Sequence, residues 1–248
     1  MALPANRQLA TLQGGPVRAT DLDGTRGNVR AAGLLYLLTF AASIPAAFFF
    51  LAPVLNDPTY IVGSGADTRV AIGCLLDVVN ALACVGTAVA VYPAVRRHNE
   101  SLALGFVTSR MFEAAVIMVG VVSLLGVVTL RQDFSDGSLA DRTSLVTTGH
   151  ALVAVRDWTF QFGPNLCAAM NALLFGTLLY RSRVVPRVIP AMGLVGAPLL
   201  LAATVAAVLG AADQGSGWFI GALPVAAWEL SIGLYMTFKG FNVASDFV

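Results

Sequence analysis

Residues Leu102 to Leu130 read LALGFVTSRMFEAAVIMVGVVSLLGVVTL, an apolar run broken near its centre only by Arg110 and Glu113 among ionisable groups. A helix rises about 1.5 Å per residue and the hydrocarbon core of a bilayer is about 30 Å thick, so the run is long enough to cross it with some tilt. Four further apolar stretches flank it, at about 30–52, 69–92, 188–212 and 218–239, together with a polar-interrupted one that becomes a span at about 158–180. The pattern predicts an all-α, polytopic integral membrane bundle of about six transmembrane helices, its outer surface covered by the lipid bilayer. Composition agrees, with 57% hydrophobic residues, 12% charged and a mean hydropathy of +0.77, whereas soluble domains carry about 25% charged residues.

The segments between runs carry turn and charge signals. Asn56, Asp57 and Pro58 mark the first loop, Pro93 with Arg96, Arg97 and His98 the second, and Arg181, Arg183 and Arg187 the fourth. Residues 131–144 are too charged for lipid. From Leu145 to Asp157 the pattern reads as a surface or partly inserted segment, with His150 as a solvated loop residue and Arg156 and Asp157 pairing with each other or with headgroups. The first 29 residues hold scattered Gly, Pro and charges without the apolar core of a signal peptide, so a disordered cytoplasmic tail is expected there. The membrane domain then covers 30–241, and 242–248 form a second tail.

Cations set the expected orientation, because cytoplasmic flanks carry the excess of Arg and Lys. With both termini cytoplasmic, ten cations lie inside against three outside, namely Arg69, Arg131 and Arg142. Trp218 and Phe219 then reach the outer interface and Tyr180 the inner one. Lys239 is the single lysine among 15 basic residues. That bias and the abundant alanine are expected of a GC-rich bacterial genome, which points to the bacterial cytoplasmic membrane. The net charge of +1, spread over several loops, is not the basic patch of a nucleic-acid binder. Cys74, Cys84 and Cys167 match neither a disulfide framework nor zinc spacing, no metal motif occurs, and no cofactor is expected.

Ionisable residues at membrane depth carry the functional signal. A charged group at a helix centre costs about 2.5 to 3.5 kcal/mol on insertion scales. Arg110, Glu113 and Glu229 fall near the midplane and Asp77 somewhat outside it, so they are expected to converge on one another or on water. Arg110 and Glu113 are three residues apart and share a helix face. Asp77, Asn80, Cys84 and Thr87 form a polar stripe on the second helix, and Tyr36, Thr39 and Ser43 another on the first. Asn165 and Asn171 add amides from the fourth.

The expected site is a polar pocket of Asp77, Asn80, Arg110, Glu113, Glu229, Tyr36 and Asn165. With every group ionised the deep charges sum to −2, which calls for a proton or a bound cation. Three functions fit this pattern: a small-solute or lipid-headgroup binding or transport bundle, proton-coupled or not; a non-catalytic accessory or scaffold subunit whose charges only specify helix pairing; and an intramembrane enzyme using Asp77 and Glu113. The third is poorly supplied, because His98 and His150 fall on opposite sides of the membrane and no base adjoins a nucleophile. Nothing in the pattern fixes an oligomeric state.

Several segments carry a family resemblance: Arg30-Ala-Ala-Gly-Leu-Leu-Tyr-Leu-Leu-Thr39, Arg110-Met-Phe-Glu-Ala114, Arg181-Ser-Arg-Val-Val-Pro-Arg187, Pro224-Val-Ala-Ala-Trp-Glu229 and Lys239-Gly240-Phe241. As a set, spanning Arg30 to Phe241, they resemble the DUF4386 family. The resemblance implies a small multi-helix bacterial membrane protein and assigns no activity.

Overall fold

The computed structural model describes residues 19–63, 65–134, 139–211 and 218–242. Helix α1 spans Ala19–Pro45, where Pro45 removes an N–H and the chain widens into a π-helical turn over Ala46–Phe50. The short α2, Ala52–Asn56, has Pro53 in its first turn, and a 3₁₀ turn follows at Tyr60–Val62. Between them Asp57 Oδ1 accepts hydrogen bonds from Thr59 N and Oγ1, both at 2.8 Å, and these hold its carboxyl below the usual range. Helix α3 runs Asp67–Val95 and α4 Glu100–Asp133, the latter capped by Asn99, whose Oδ1 accepts from Leu102 N at 2.9 Å.

Helices α5, Leu139–Phe160, and α6, Ala168–Ser182, are joined by a second π-helical turn, Gln161–Cys167. Helix α7 spans Val188–Val208 and α8 Trp218–Phe238. Among the described residues six helical rods are long and apolar enough to cross a membrane: α1 with its π turn, α3, α4, the α5–α6 rod, α7 and α8. No strand occurs among them.

Four sequence expectations need correction here. Residues 19–29 are helical and extend α1, so the tail reading fails for them; residues 1–18 and 243–248 lie outside the described residues, as do 212–217 and the side chains of Trp218 and Phe219. Pro93 does not end the second span, because one turn from a helix end it removes a single hydrogen bond, and the helix still closes with Arg96 N on Tyr92 O at 3.0 Å. The segment 145–157 is no surface stretch but the body of α5, since the π turn accommodates Gly163 and Pro164 without breaking the rod. His150 is therefore helical, although exposed, with Nε2 3.0 Å from Pro58 O.

Neighbouring spans close a ring in the order α1, α3, α4, α5–α6, α7, α8 and back to α1. Small residues let the helices approach closely. A Cβ on Gly33 would lie 2.5 Å from Thr237 N of α8, and one on Gly193 of α7 would lie 2.6 Å from the Trp228 ring. Two apolar clusters result, one around Tyr36, Phe106, Phe175 and Trp228, the other around Leu51, Ile61, Leu124 and Val127. On α4 the seam between them is occupied by Arg110 and Glu113. Outside the ring, Leu75, Leu82, Val122, Val195 and Ile220 are exposed, the surface a lipid solvent requires.

At the end where α3 begins, Arg131 grips Asp67 with two nitrogens, Nε lying 2.5 Å from Oδ1. Gln132 and Tyr60 also donate to this carboxylate, at 3.1 and 2.8 Å, and burial together with this bond pushes the Tyr60 phenol above its usual range. The fork ties the α3 start to the α4 end and fixes their antiparallel register.

Candidate functional site

Arg110 is the hub of the interior. From α4 its Nη1 reaches Glu113 Oε2, one helical turn on, at 3.1 Å, and its Nη2 reaches Glu229 Oε1 of α8 at 3.0 Å. The guanidinium lies 4.5 Å from the Tyr36 ring centroid, a cation–π contact from α1, and Nη1 is 3.5 Å from Cys84 Sγ of α3. Asn171 of α6 donates Nδ2 to Glu113 Oε2 at 2.8 Å. Thus a single side chain, 3% exposed, gathers groups from α1, α3, α4 and α8, and α6 joins through Glu113. A planar cation with five donors can do this where lysine cannot.

A second ion pair lies alongside. Asp77 Oδ2 of α3 accepts from Arg156 Nη2 of α5 at 3.3 Å, with both side chains buried and the guanidinium 5.1 Å from the Phe160 ring centroid. This corrects the expectation that Arg156 pairs with Asp157 or with headgroups. Bringing 145–157 into the bundle as a helix swings Arg156 inward, and it also changes the charge ledger. Asp77, Glu113 and Glu229 now stand against two arginines, so the sum is −1 rather than −2.

Both groups border one cavity of about 300 Å³. Its polar wall holds Asp77, Asn80, Cys84, Arg110, Glu113, Arg156, Asn165 and Glu229, so six of the seven residues expected at the site line it. Tyr36 does not; it sits behind Arg110, fully buried. Asn165, within the second π turn, donates Nδ2 to Gln161 Oε1 at 3.0 Å. The second stripe of helix 1 divides: Thr39 and Ser43 reach the cavity, Tyr36 the seam. Arg156 is the cavity-lining residue that lies elsewhere than its sequence suggests, and the signal available was its four-residue spacing to Phe160 on an otherwise apolar face. The partner of Asn171, which its own sequence position does not reveal, is Glu113.

The cavity reaches the surface on one side. Helices α1 and α8 touch at Gly33 and Gly233, but toward the end of α1 they line the cavity through Ile44, Phe48, Ala222 and Ala226, and Ile44 and Phe48 are 51% and 73% exposed. One border of the cavity thus lies on the lipid-facing surface of the bundle.

Removing one partner of a buried pair leaves a bare charge, which costs about 3–5 kcal/mol, whereas removing both is nearly neutral. Arg156→Leu is therefore expected to lower stability by about 3 kcal/mol, and Arg156→Leu combined with Asp77→Leu to regain most of it. Reversible unfolding in mixed micelles measures the cycle. Additive losses would show that the two side chains do not interact.

Six spans around a central cavity with two buried ion networks define a multi-pass helical membrane protein with an intramembrane charge cluster. By sequence the chain belongs to the DUF4386 family, described as a domain of unknown function, whose model matches residues 31–240. No curated protein and no solved structure matches it.

Proposed function

We propose that the chain binds a small solute or a lipid headgroup in the central cavity and carries it in exchange for a proton. The supporting observation is the cavity itself, which reaches three carboxylates and two arginines, a formal charge of −1 with every group ionised. A dry structural staple has no use for an open volume beside its charges, and an unbalanced negative charge in a low-dielectric site is relieved by a proton or a cation. Glu229 is the natural exchange group, since its side chain is 15% exposed, against 7% for Glu113 and 9% for Asp77. Asp77, Asn80, Arg110, Glu113 and Asn165 complete the wall, and Tyr36 backs the arginine. In this reading both termini are cytoplasmic, the membrane is the bacterial cytoplasmic membrane, and the mouth opens in the outer leaflet.

Infrared difference spectroscopy on acidification tests the proton site. A protonated-carboxyl band is expected in the native protein and absent in Glu229→Gln, with folding retained. A Glu229 that stays ionised to low pH with no cation bound would remove the coupling.

A scaffold or accessory subunit is the second reading, favoured by one observation: each arginine already bonds a carboxylate from another helix. It predicts that Glu229→Gln destabilises the bundle and that the cavity holds no water. An intramembrane carboxylate enzyme has less support, because Asp77 and Glu113 are each bound to a different arginine.

A further inference from the structure

We propose that the cavity takes an amphiphile bearing one primary ammonium group, which slides in sideways from the lipid between α1 and α8. This rests on reading the cavity as a binding site. Each wall carboxylate uses one oxygen for its protein partners: Asp77 Oδ2, Glu113 Oε2 for both Arg110 and Asn171, and Glu229 Oε1. The other three oxygens, Asp77 Oδ1, Glu113 Oε1 and Glu229 Oε2, receive no hydrogen bond from any described residue. None of the three is among the fully enclosed, partnerless atoms, and all three residues line the cavity. Three acceptors without donors in a wall of charge −1 match a group with charge +1 and three N–H donors, which is a primary ammonium. A quaternary ammonium has the charge but no N–H, and an anion or a sugar matches neither.

The tail is argued from size and lining. At about 300 Å³ the cavity sits at the lower end of ligand-pocket volumes. It can enclose a head and its first carbons, and the remaining chain must leave by the mouth. There Phe40, Ile44, Phe48, Ala222 and Ala226 offer an apolar passage to the hydrocarbon. A second, independent observation falls at the same place. Both π-helical turns border this cavity, the first through Ala47 and Phe48, the second through Pro164 and Asn165. Such turns interrupt the regular helix and recur at functional sites.

The ammonium can belong to a free lipophilic amine or to a membrane lipid with an aminoethyl headgroup. The test uses the full chain in phosphatidylcholine nanodiscs and counts bound radiolabelled dodecylamine above protein-free nanodiscs. Competition is expected from unlabelled dodecylamine, with ethylamine at least tenfold weaker and dodecyltrimethylammonium and dodecyl sulfate without effect. Glu229→Gln should lose at least tenfold in affinity, and Ala226→Trp, which fills the half-exposed mouth, several-fold while leaving the charges untouched. Exchanging part of the phosphatidylcholine for phosphatidylethanolamine should lower amine binding if the occupant is a lipid and leave it unchanged if it is a free amine; both results support the ammonium class. Equal competition by dodecyltrimethylammonium overturns the N–H match, and equal competition by ethylamine overturns the sideways tail. Absence of specific dodecylamine binding overturns the inference, while the infrared response of Glu229, measured without any amine, judges the proton site separately.

Discussion

Replacing Arg110 with leucine is expected to produce the largest loss of stability of any single substitution in the chain. The guanidinium holds Glu113 at 3.1 Å and Glu229 at 3.0 Å, both within the ring of helices. Without it two carboxylates remain, with Asn171 Nδ2 as their one remaining donor among the described residues. Breaking a buried pair costs about 3–5 kcal/mol, and here two pairs share the cation, so the upper part of that range is expected. Marginal stabilities are about 5–15 kcal/mol, so the variant should accumulate poorly in the membrane and unfold at much lower denaturant in micelles. Arg110→Lys should recover little, because a point charge cannot serve two carboxylates and stack on Tyr36 at once. The decisive control is Arg110→Met with Glu113→Gln and Glu229→Gln. If the charges only needed one another, this triple variant regains stability but loses any ligand; if it stays as unstable as Arg110→Leu, the ion network is not what holds the centre together.

Gly221→Leu is expected to come second, by a different mechanism. A Cβ at Gly221 would meet the backbone of Leu199 and Leu200 on α7 rather than the movable end of a side chain. Backbone cannot step aside, so α7 and α8 must separate along their whole contact, which Gly193, against the Trp228 ring, and Gly196, against Pro224 and Val225, also keep close. Overpacking costs about 1–3 kcal/mol where side chains can shift and more where they cannot. Because α8 carries Glu229, the displacement should also lengthen the Arg110–Glu229 contact. Unfolding in micelles reads the first effect and the Glu229 infrared band the second. A variant as stable as the native chain would mean that α7 and α8 are not in close contact. Gly210, which has open space where its Cβ would stand, is no equivalent control, since its φ of 68° strains any side chain. Gly27, with nothing within 4 Å and no such φ, is the better one.

Much of this was legible in the chain itself. Runs of apolar residues near Leu102–Leu130 declare the spans because hydrocarbon thickness sets a minimum length, and the cost of charge in lipid obliges Arg110, Glu113 and Glu229 to meet. Helix limits were less legible. Ala19–Val29 has no continuous apolar run yet continues α1, and Pro93 and Pro164 lie inside helical rods, because a proline removes one hydrogen bond and neighbouring spans or a π turn absorb the loss. Arg156 shows where sequence reasoning stops. Beside Asp157 and fourteen residues after Arg142 it looks like an interfacial charge, and only the continuous α5–α6 rod turns it toward Asp77.

By itself, then, the sequence determined a helical membrane bundle with charges that must converge, since both follow from local composition and the free energy of ions in oil. Tertiary structure alone decided which charges pair, that two arginines stand against three carboxylates at the cavity, and that exposed residues of α1 border it. Those outcomes depend on how helices distant in the chain are rotated and spaced, which no local pattern of residues encodes.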